Sequence, residues 1–253
     1  MPAETETPSL RGERARRGGR RRPWWRGGSS VRRWNGEVLG RTVLGLGIGL
    51  LAGGLLGGII GTLVMWLCWI AAVVLALRRG VPRGLLRFRA VDVLYGIVLG
   101  GALRMIQGWL DVAFGGTGAL PSYTSLDGAL PPGWWVDGLS AVVVAPVIEE
   151  FFFRGALLII VFTLVRRLAG GGSAGAGVGI GGFVAVVASA GLFVMAHQLI
   201  SPVAADAVTS LALVGVVCGL LVVFTGRIWP AVLVHVVYNG TGVLLMVAGT
   251  LLG

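Results

Sequence analysis

The chain has no lysine, only two cysteines and two histidines, and few charges of any kind. Charged residues make up 13% of its 253 positions, whereas 55% are hydrophobic and the mean hydropathy is +0.87. This composition excludes an ordinary soluble domain, because a water-facing surface carries more charge. Cys68 and Cys218 lie far apart in apolar runs, without the spacing of a metal or redox site, so we interpret them as small core residues.

All 21 basic residues are arginine, and eleven of them lie between Arg11 and Arg41. This stretch has no periodic apolar face, so we expect residues 1–41 to form a disordered cytoplasmic tail. Its tryptophans, Trp24, Trp25 and Trp34, favour contact with lipid headgroups and not with nucleic acid. A secretory signal is not expected either, because no small-residue cleavage site follows the first apolar run.

Long apolar runs occupy most of the remaining sequence. About 20 apolar residues cross a bilayer core, so five of these runs suit one helix each. The first run, Val43 to Leu77, is longer and has glycines at its middle, so we expect a tight hairpin that crosses twice. The sequence therefore predicts an all-α polytopic membrane protein with about seven transmembrane helices. A single tilted or re-entrant first helix is the alternative. The other runs are Val91 to Leu110, Leu139 to Val165, Ile180 to Ile200, Ala207 to Thr225 and Ile228 to Leu252.

Arginine placement predicts the orientation, because short arginine-rich loops stay in the cytoplasm. The tail, the loop from Arg78 to Arg89 and the short connection at Arg227 belong on that side, and the acidic loop from Asp111 to Asp137 lies outside. We therefore expect a multi-pass protein of the cell membrane with a cytoplasmic N-terminus. Residues 42–90 would form the hairpin with its basic loop. The glycine-rich segment from Ala169 to Gly182 is expected to be a flexible linker.

A few ionisable residues interrupt the apolar runs, and each costs about 2.5 to 3.5 kcal/mol to insert, which marks it as a functional candidate. Glu150 and Arg154 are four residues apart, so on a helix they can form an ion pair. Glu149 points about 100° away from that face, where it suits a general base.

The only two histidines, His197 and His235, also lie inside apolar runs, and Asn239 follows one turn after His235. At about 1.5 Å per residue from the cytoplasmic side, Glu149 and His197 lie roughly 22 to 25 Å deep. His235 and Asn239 lie at about 12 and 18 Å on the same count. We expect these residues to converge on one intramembrane cavity.

The segments EEFFFR (Glu149, Glu150, Arg154), FVMAH (Phe193, His197) and HVVYN (His235, Asn239) resemble, in this order, the three motifs of the CPBP family. That family includes the type II CAAX prenyl endopeptidases and the bacteriocin-immunity (Abi) proteins. The resemblance implies that residues 91–253 form an intramembrane protease core. It also implies that Glu149 and His197 activate a water, that His235 and Asn239 stabilise an oxyanion, and that Glu150 and Arg154 hold their helix in place.

This mechanism requires no cofactor, but Glu149, His197 and His235 are also a chemically reasonable zinc set, and the sequence leaves the metal undecided. The function expected is an intramembrane endopeptidase that acts on membrane-associated protein or peptide substrates, with the lipid bilayer as its other partner. One alternative is a non-catalytic immunity or scaffold protein that binds a peptide in the same cavity. A transporter or proton relay would require repeated halves, and the sequence shows none.

Overall fold

The computed structural model describes residues 22–123, 128–169 and 176–252. All regular structure in these residues is helical, and seven helices are long. The fourth, α4, runs over residues 134–168, and the other six are long and apolar enough to cross a bilayer. The chain is therefore a multi-pass membrane protein of all-α fold, as predicted. The six helices are α1 (Gly36–Leu56), α2 (Gly58–Arg78), α3 (Val91–Ala113), α5 (Ala176–Ile200), α6 (Ala205–Thr225) and α7 (Trp229–Leu252).

The first apolar run forms the predicted hairpin. Gly57 and Gly58 make the turn between α1 and α2 with φ values of 63° and 52°, a left-handed backbone that favours glycine. The two helices then pack closely, because a Cβ atom on Gly61 would lie only 2.4 Å from the carbonyl oxygen of Gly53. Small residues thus let the two backbones approach, as in other membrane helix pairs.

Helix α4 is continuous, but two π-helical segments interrupt its α-helical hydrogen-bond register. It is α-helical over Trp134–Leu139, Ala145–Glu150 and Ile159–Leu168, and π-helical over Ser140–Val144 and Phe151–Leu158. The first π segment ends just before Pro146, whose missing N–H disturbs the α-helical ladder. The second begins directly after the two glutamates. These changes divide α4, which is why its 35 residues do not form one uniform α-helix.

The middle of α4 lies at the centre of the bundle. Phe152, Phe153 and the residues that follow them are buried. The Trp69 ring of α2 stacks on Phe152 at 5.1 Å between centroids, and Phe193 of α5 meets Phe153 edge to face at 5.3 Å. Aromatic packing from two neighbouring helices therefore fixes the position of the helix that carries the glutamates.

The arginine-rich segments meet at one end of the bundle. The backbone N–H of Arg83 donates to the Ser30 hydroxyl at 3.0 Å, and Ile228 N–H donates to the Leu85 carbonyl at 2.9 Å. Arg167, after α4, donates to the carbonyl of Trp34 at 2.6 Å. The tail, the α2–α3 loop, the end of α4 and the α6–α7 connection therefore lie on the same side, as the seven-helix topology predicts. That this side is cytoplasmic stays a prediction.

Part of the predicted disordered tail is folded. Residues 22–35 contain two short 3-10 turns, and α1 already begins at Gly36. Trp24 and Trp34 are completely buried and not at a headgroup surface. Trp24 donates to the Gly226 carbonyl at 3.0 Å and packs edge to face on Phe162, and Trp34 donates to the Gly80 carbonyl at 2.9 Å. Prediction of disorder failed here because these indoles bury their area against other helices, which local composition does not show. Residues 1–21 lie outside the described residues.

The predicted linker also proves shorter. Helix α5 starts at Ala176, so residues 176–182 are helical, and residues 170–175 lie outside the described part of the chain. A Cβ atom on Gly181 would lie 3.2 Å from the Phe162 carbonyl oxygen, and one on Gly182 3.2 Å from Val223. These glycines therefore serve close helix packing, and their abundance was wrongly interpreted as flexibility.

Replacement of Gly61 by alanine tests the hairpin. The added methyl group must displace the backbone of α1, and we expect a loss of about 1 to 3 kcal/mol of stability, the usual effect of overpacking. Gly54→Ala is the matched control, because nothing lies within 4 Å of its Cβ position. Thermal unfolding in detergent should show a lower melting temperature for Gly61→Ala alone. Equal melting temperatures for the two variants would contradict the close α1–α2 contact.

Candidate active site

Glu150 and Arg154 form a completely buried ion pair on α4. Their Oε1 and Nη1 atoms are 3.0 Å apart, although the N–H direction does not make a regular hydrogen bond. Arg154 also donates from Nη2 to the Gly215 carbonyl of α6 at 3.2 Å, and its guanidinium lies 4.5 Å from the centre of the Phe193 ring. The charge of Arg154 is thus balanced by a carboxylate, a carbonyl dipole and an aromatic face.

His235 of α7 lies between the two glutamates. Its Nδ1 is 3.0 Å from Glu150 Oε1, and its Nε2 is 3.8 Å from Glu149 Oε2. A carboxylate oxygen accepts hydrogen bonds, so His235 Nδ1 donates to Glu150 Oε1. The other ring nitrogen faces Glu149 at a distance too long for a direct hydrogen bond. Glu149, His235, Glu150 and Arg154 therefore form one continuous chain of ionisable groups.

His197 of α5 also contacts the Phe193 ring. The centroids of Phe193 and His197 are 4.4 Å apart, and those of Phe193 and His235 are 5.7 Å apart. His197 Nδ1 is 2.9 Å from the Phe193 carbonyl oxygen. A carbonyl can only accept, so Nδ1 carries the hydrogen, and Nε2 of the neutral ring is an acceptor. Among the described residues no hydrogen bond or ion pair joins His197 to Glu149, whose recorded partner is His235.

Asn239 bonds to the backbone of α4. Its Nδ2 donates to the Ala141 carbonyl at 2.8 Å, inside the first π segment. There the N–H of Ala145 bonds to the Ser140 carbonyl, five residues back. In the same register the Ala141 carbonyl faces Pro146, which has no N–H to donate. Asn239 thus supplies the hydrogen that the proline cannot, and one of its two amide hydrogens is committed to this bond.

The proposed zinc ligands do not form a metal-binding group. In the part of the chain that the structure describes, no set of three or more His, Cys, Asp or Glu side chains is arranged to hold an ion. Glu149 and His235 are adjacent, whereas both histidine rings contact Phe193 and His197 makes its hydrogen bond to the backbone of its own helix. The arrangement of Glu149, His197 and His235 therefore does not fit a three-ligand zinc site, and no step is derived through a metal.

The apolar run from Val91 to Leu110 contains two charged residues, Asp92 and Arg104, that the sequence analysis does not single out. Asp92 is buried and pairs with Arg227, which contacts both carboxylate oxygens. Arg104 lies in mid-span and donates from Nε and Nη2 to the Tyr238 carbonyl at 3.1 and 2.7 Å. The rule that charges inside a span mark functional or structural sites would have found both.

Arg104 belongs to a polar network next to the histidine. Its guanidinium lies 4.1 Å from the centre of the Tyr238 ring, and Nη1 donates to Gln107. The Tyr238 hydroxyl contacts both Gln107 and, at 2.7 Å, the Ser210 hydroxyl. Tyr238 lies between His235 and Asn239 in sequence, so this network fixes the turn of α7 that carries both candidate residues.

A double-mutant cycle tests the bond between Asn239 and Ala141. We expect Asn239→Ala to lower stability by about 1 kcal/mol, because interhelical hydrogen bonds in membranes have that magnitude. In a Pro146→Ala background, residue 146 has an N–H that can bond to Ala141, so the same change should cost less. Chemical or thermal unfolding of the four proteins measures the coupling. Strict additivity would show that the proline and the asparagine act independently.

Comparison with known proteins assigns the region that carries the site to a family. Residues 131–241 match the model of the family described as type II CAAX prenyl endopeptidase, Rce1-like. No curated protein and no solved structure gave a match. The matched region begins just before α4, ends just after Asn239, and includes the two glutamates and both histidines. Residues 131–241 therefore form a domain of the Rce1-like type II CAAX prenyl endopeptidase family.

Proposed function

We propose that the protein is an intramembrane endopeptidase that hydrolyses peptide bonds of membrane-associated proteins or peptides. The observation that carries this proposal is the position of His235 between two carboxylates, 3.0 Å from Glu150 and 3.8 Å from Glu149, inside a bundle of apolar helices. A buried acid and an adjacent oriented imidazole are the groups that a water-activating hydrolase requires.

Glu149 is proposed as the general base. Glu150 is occupied by Arg154 and by His235 Nδ1, whereas among the described residues the polar contact of Glu149 is the more distant one with His235 Nε2. It can therefore take a proton from a water as the water oxygen bonds to the substrate carbonyl carbon. When the C–N bond breaks, the same carboxyl group returns the proton to the leaving nitrogen. His197 would orient the water through its unprotonated Nε2.

His235 and Asn239 are proposed to stabilise the oxyanion of the tetrahedral intermediate. With Nδ1 bonded to Glu150, His235 can donate from Nε2 when that nitrogen also carries a hydrogen. Asn239 keeps a second amide hydrogen after its bond to Ala141. Both lie one turn apart on α7, so they face the same side of the helix.

Glu150 and Arg154 are proposed as positioning residues. Both are completely buried, and Arg154 is committed to Glu150, to Gly215 and to the Phe193 face. Through Nδ1 of His235, Glu150 fixes the ring so that its other nitrogen faces Glu149. The pair thereby joins α4, α6 and α7 around the site and controls the tautomer of the histidine.

The location of the site supports a membrane-bound substrate. The glutamates and histidines belong to helices whose outer faces carry large exposed apolar side chains, including Leu139, Leu199 and Leu244. These faces are suited to lipid, so a peptide reaches the site most directly from the bilayer or its surface. Nucleic acid has no part in this proposal.

Replacement of Glu149 by glutamine is the direct test. The amide cannot accept the proton of water, so we expect kcat to fall by about 10²- to 10⁴-fold, the usual contribution of a general base. Glu37→Gln is the matched control, because Glu37 pairs with Arg41 and Arg79 on the exposed end of the hairpin. The assay follows cleavage of a panel of membrane-associated peptides by purified protein in liposomes.

Glu37→Gln should cleave as the wild type does, and Glu149→Gln should keep the wild-type melting temperature. Undiminished cleavage by Glu149→Gln would refute the assigned base. Binding of a peptide from the panel without cleavage, by folded wild-type protein under all conditions, would instead favour a non-catalytic member of the family.

A further inference from the structure

A cavity lies at the arginine-rich end of the bundle, away from the glutamates. Its volume is about 290 Å³, and both the α2–α3 loop and the α6–α7 connection contribute to its walls. Its most notable feature is the number of guanidinium groups. The lining residues are Pro23, Trp25, Arg83, Gly84, Arg87, Arg89, Thr225, Gly226 and Arg227.

Arginines outnumber the acidic residues in contact with this cavity in the part of the chain that the structure describes. There Asp92 contacts the lining, and its carboxylate is occupied by Arg227 and by the backbone N–H of Arg89. The guanidinium groups of Arg87 and Arg89 are exposed, and among the described residues neither has an acidic partner. The cavity thus keeps an excess of positive charge that an anion can neutralise.

The position of the cavity along the helices indicates which kind of anion it binds. It lies where α2 and α6 end and where α3 and α7 begin, which is the height of the lipid headgroups for helices that cross a bilayer. Two apolar side chains of the same loop, Leu86 and Phe88, are 45% and 54% exposed. They can enter the acyl-chain boundary while the neighbouring arginines contact a phosphate.

The loop is held firmly enough to present such a site. The Leu85 carbonyl accepts from Ile228 N–H at 2.9 Å, and the Leu86 carbonyl accepts from the Trp229 indole at 2.9 Å. Leu85 itself is completely buried. These contacts fix the backbone directly after Gly84 to the start of α7, so Arg87 and Arg89 are presented from a docked loop.

We propose that this cavity is a binding site for the headgroup of an anionic phospholipid, with Arg87 and Arg89 as the principal phosphate contacts and Leu86 and Phe88 beside the acyl chains. Guanidinium groups suit this ligand because they donate paired hydrogen bonds to phosphate oxygens. The site is separate from the proposed peptidase chemistry and does not depend on it.

The proposal is tested by measuring which phospholipids remain bound to the purified protein. The full-length protein is purified from nanodiscs of equimolar phosphatidylglycerol and phosphatidylcholine, and native mass spectrometry counts the lipids that remain bound. We expect wild type to retain phosphatidylglycerol at least tenfold over phosphatidylcholine. Arg87→Gln/Arg89→Gln should lose this preference, since each arginine near an anionic surface contributes about fivefold.

Arg33→Gln/Arg78→Gln is the matched control. It removes the same charge from exposed arginines outside the cavity at the same end of the bundle, and it should retain the wild-type preference. Arg87→Lys/Arg89→Lys keeps the charge and guards against a folding defect in the glutamine pair. It should keep most of the preference.

Three results would overturn the proposal. In the first, the glutamine pair at Arg87 and Arg89 retains phosphatidylglycerol as the wild type does. In the second, the control pair loses the preference equally, which would indicate diffuse attraction to the whole arginine-rich end. In the third, excess inorganic phosphate displaces the bound lipid, which would assign the cavity to a free phosphate. Survival of the preference in excess phosphate supports the lipid.

Discussion

Lipid offers no water to a buried polar group, and this constraint determines where each ionisable side chain of the helical bundle lies. The ionisable groups in the described centre of the bundle face protein partners. Glu150 is ion-paired with Arg154 and hydrogen-bonded to His235, and Arg104 donates to the Tyr238 carbonyl. The polar groups are thereby joined into connected networks that cross from one helix to another. Such networks hold the helices in one arrangement, because removing any member leaves its partner unsatisfied in a medium of low dielectric constant.

The geometry of α4 follows from the same constraint. Pro146 removes one backbone donor four residues before the second glutamate, and a π segment precedes it. A free carbonyl in a membrane requires another donor, and Asn239 provides one from α7. The proline before the glutamates and the asparagine after the second histidine are thus two ends of one interaction. In this way a local irregularity of α4 determines how α7, with His235, docks beside it.

The arginine-rich end of the bundle is held together by contacts other than those of the hydrophobic centre. At the arginine-rich end, buried indoles and the Asp92–Arg227 pair join the tail, the α2–α3 loop and the α6–α7 connection. This region therefore forms a folded cap over the base of α7. Its surplus arginines remain at the height of the lipid headgroups, whereas the candidate site lies deeper. The same constraint produces both results, because unpaired charge is tolerated only where it meets polar headgroups or water.

The sequence by itself determined the all-helical membrane fold, the hairpin from Val43 to Leu77 and the residues of the candidate site. Apolar length and charges inside apolar runs are local features, so they can be recognised in one dimension. It did not determine that His235, and not His197, is the neighbour of Glu149, nor that Trp24 and Trp34 are buried. Those results depend on how each helix is rotated and docked. The aromatic packing around Phe193 and the register of α4 determine that arrangement. Spacing along a chain gives the face and depth of a side chain, but only the tertiary structure decides which side chain of another helix it meets.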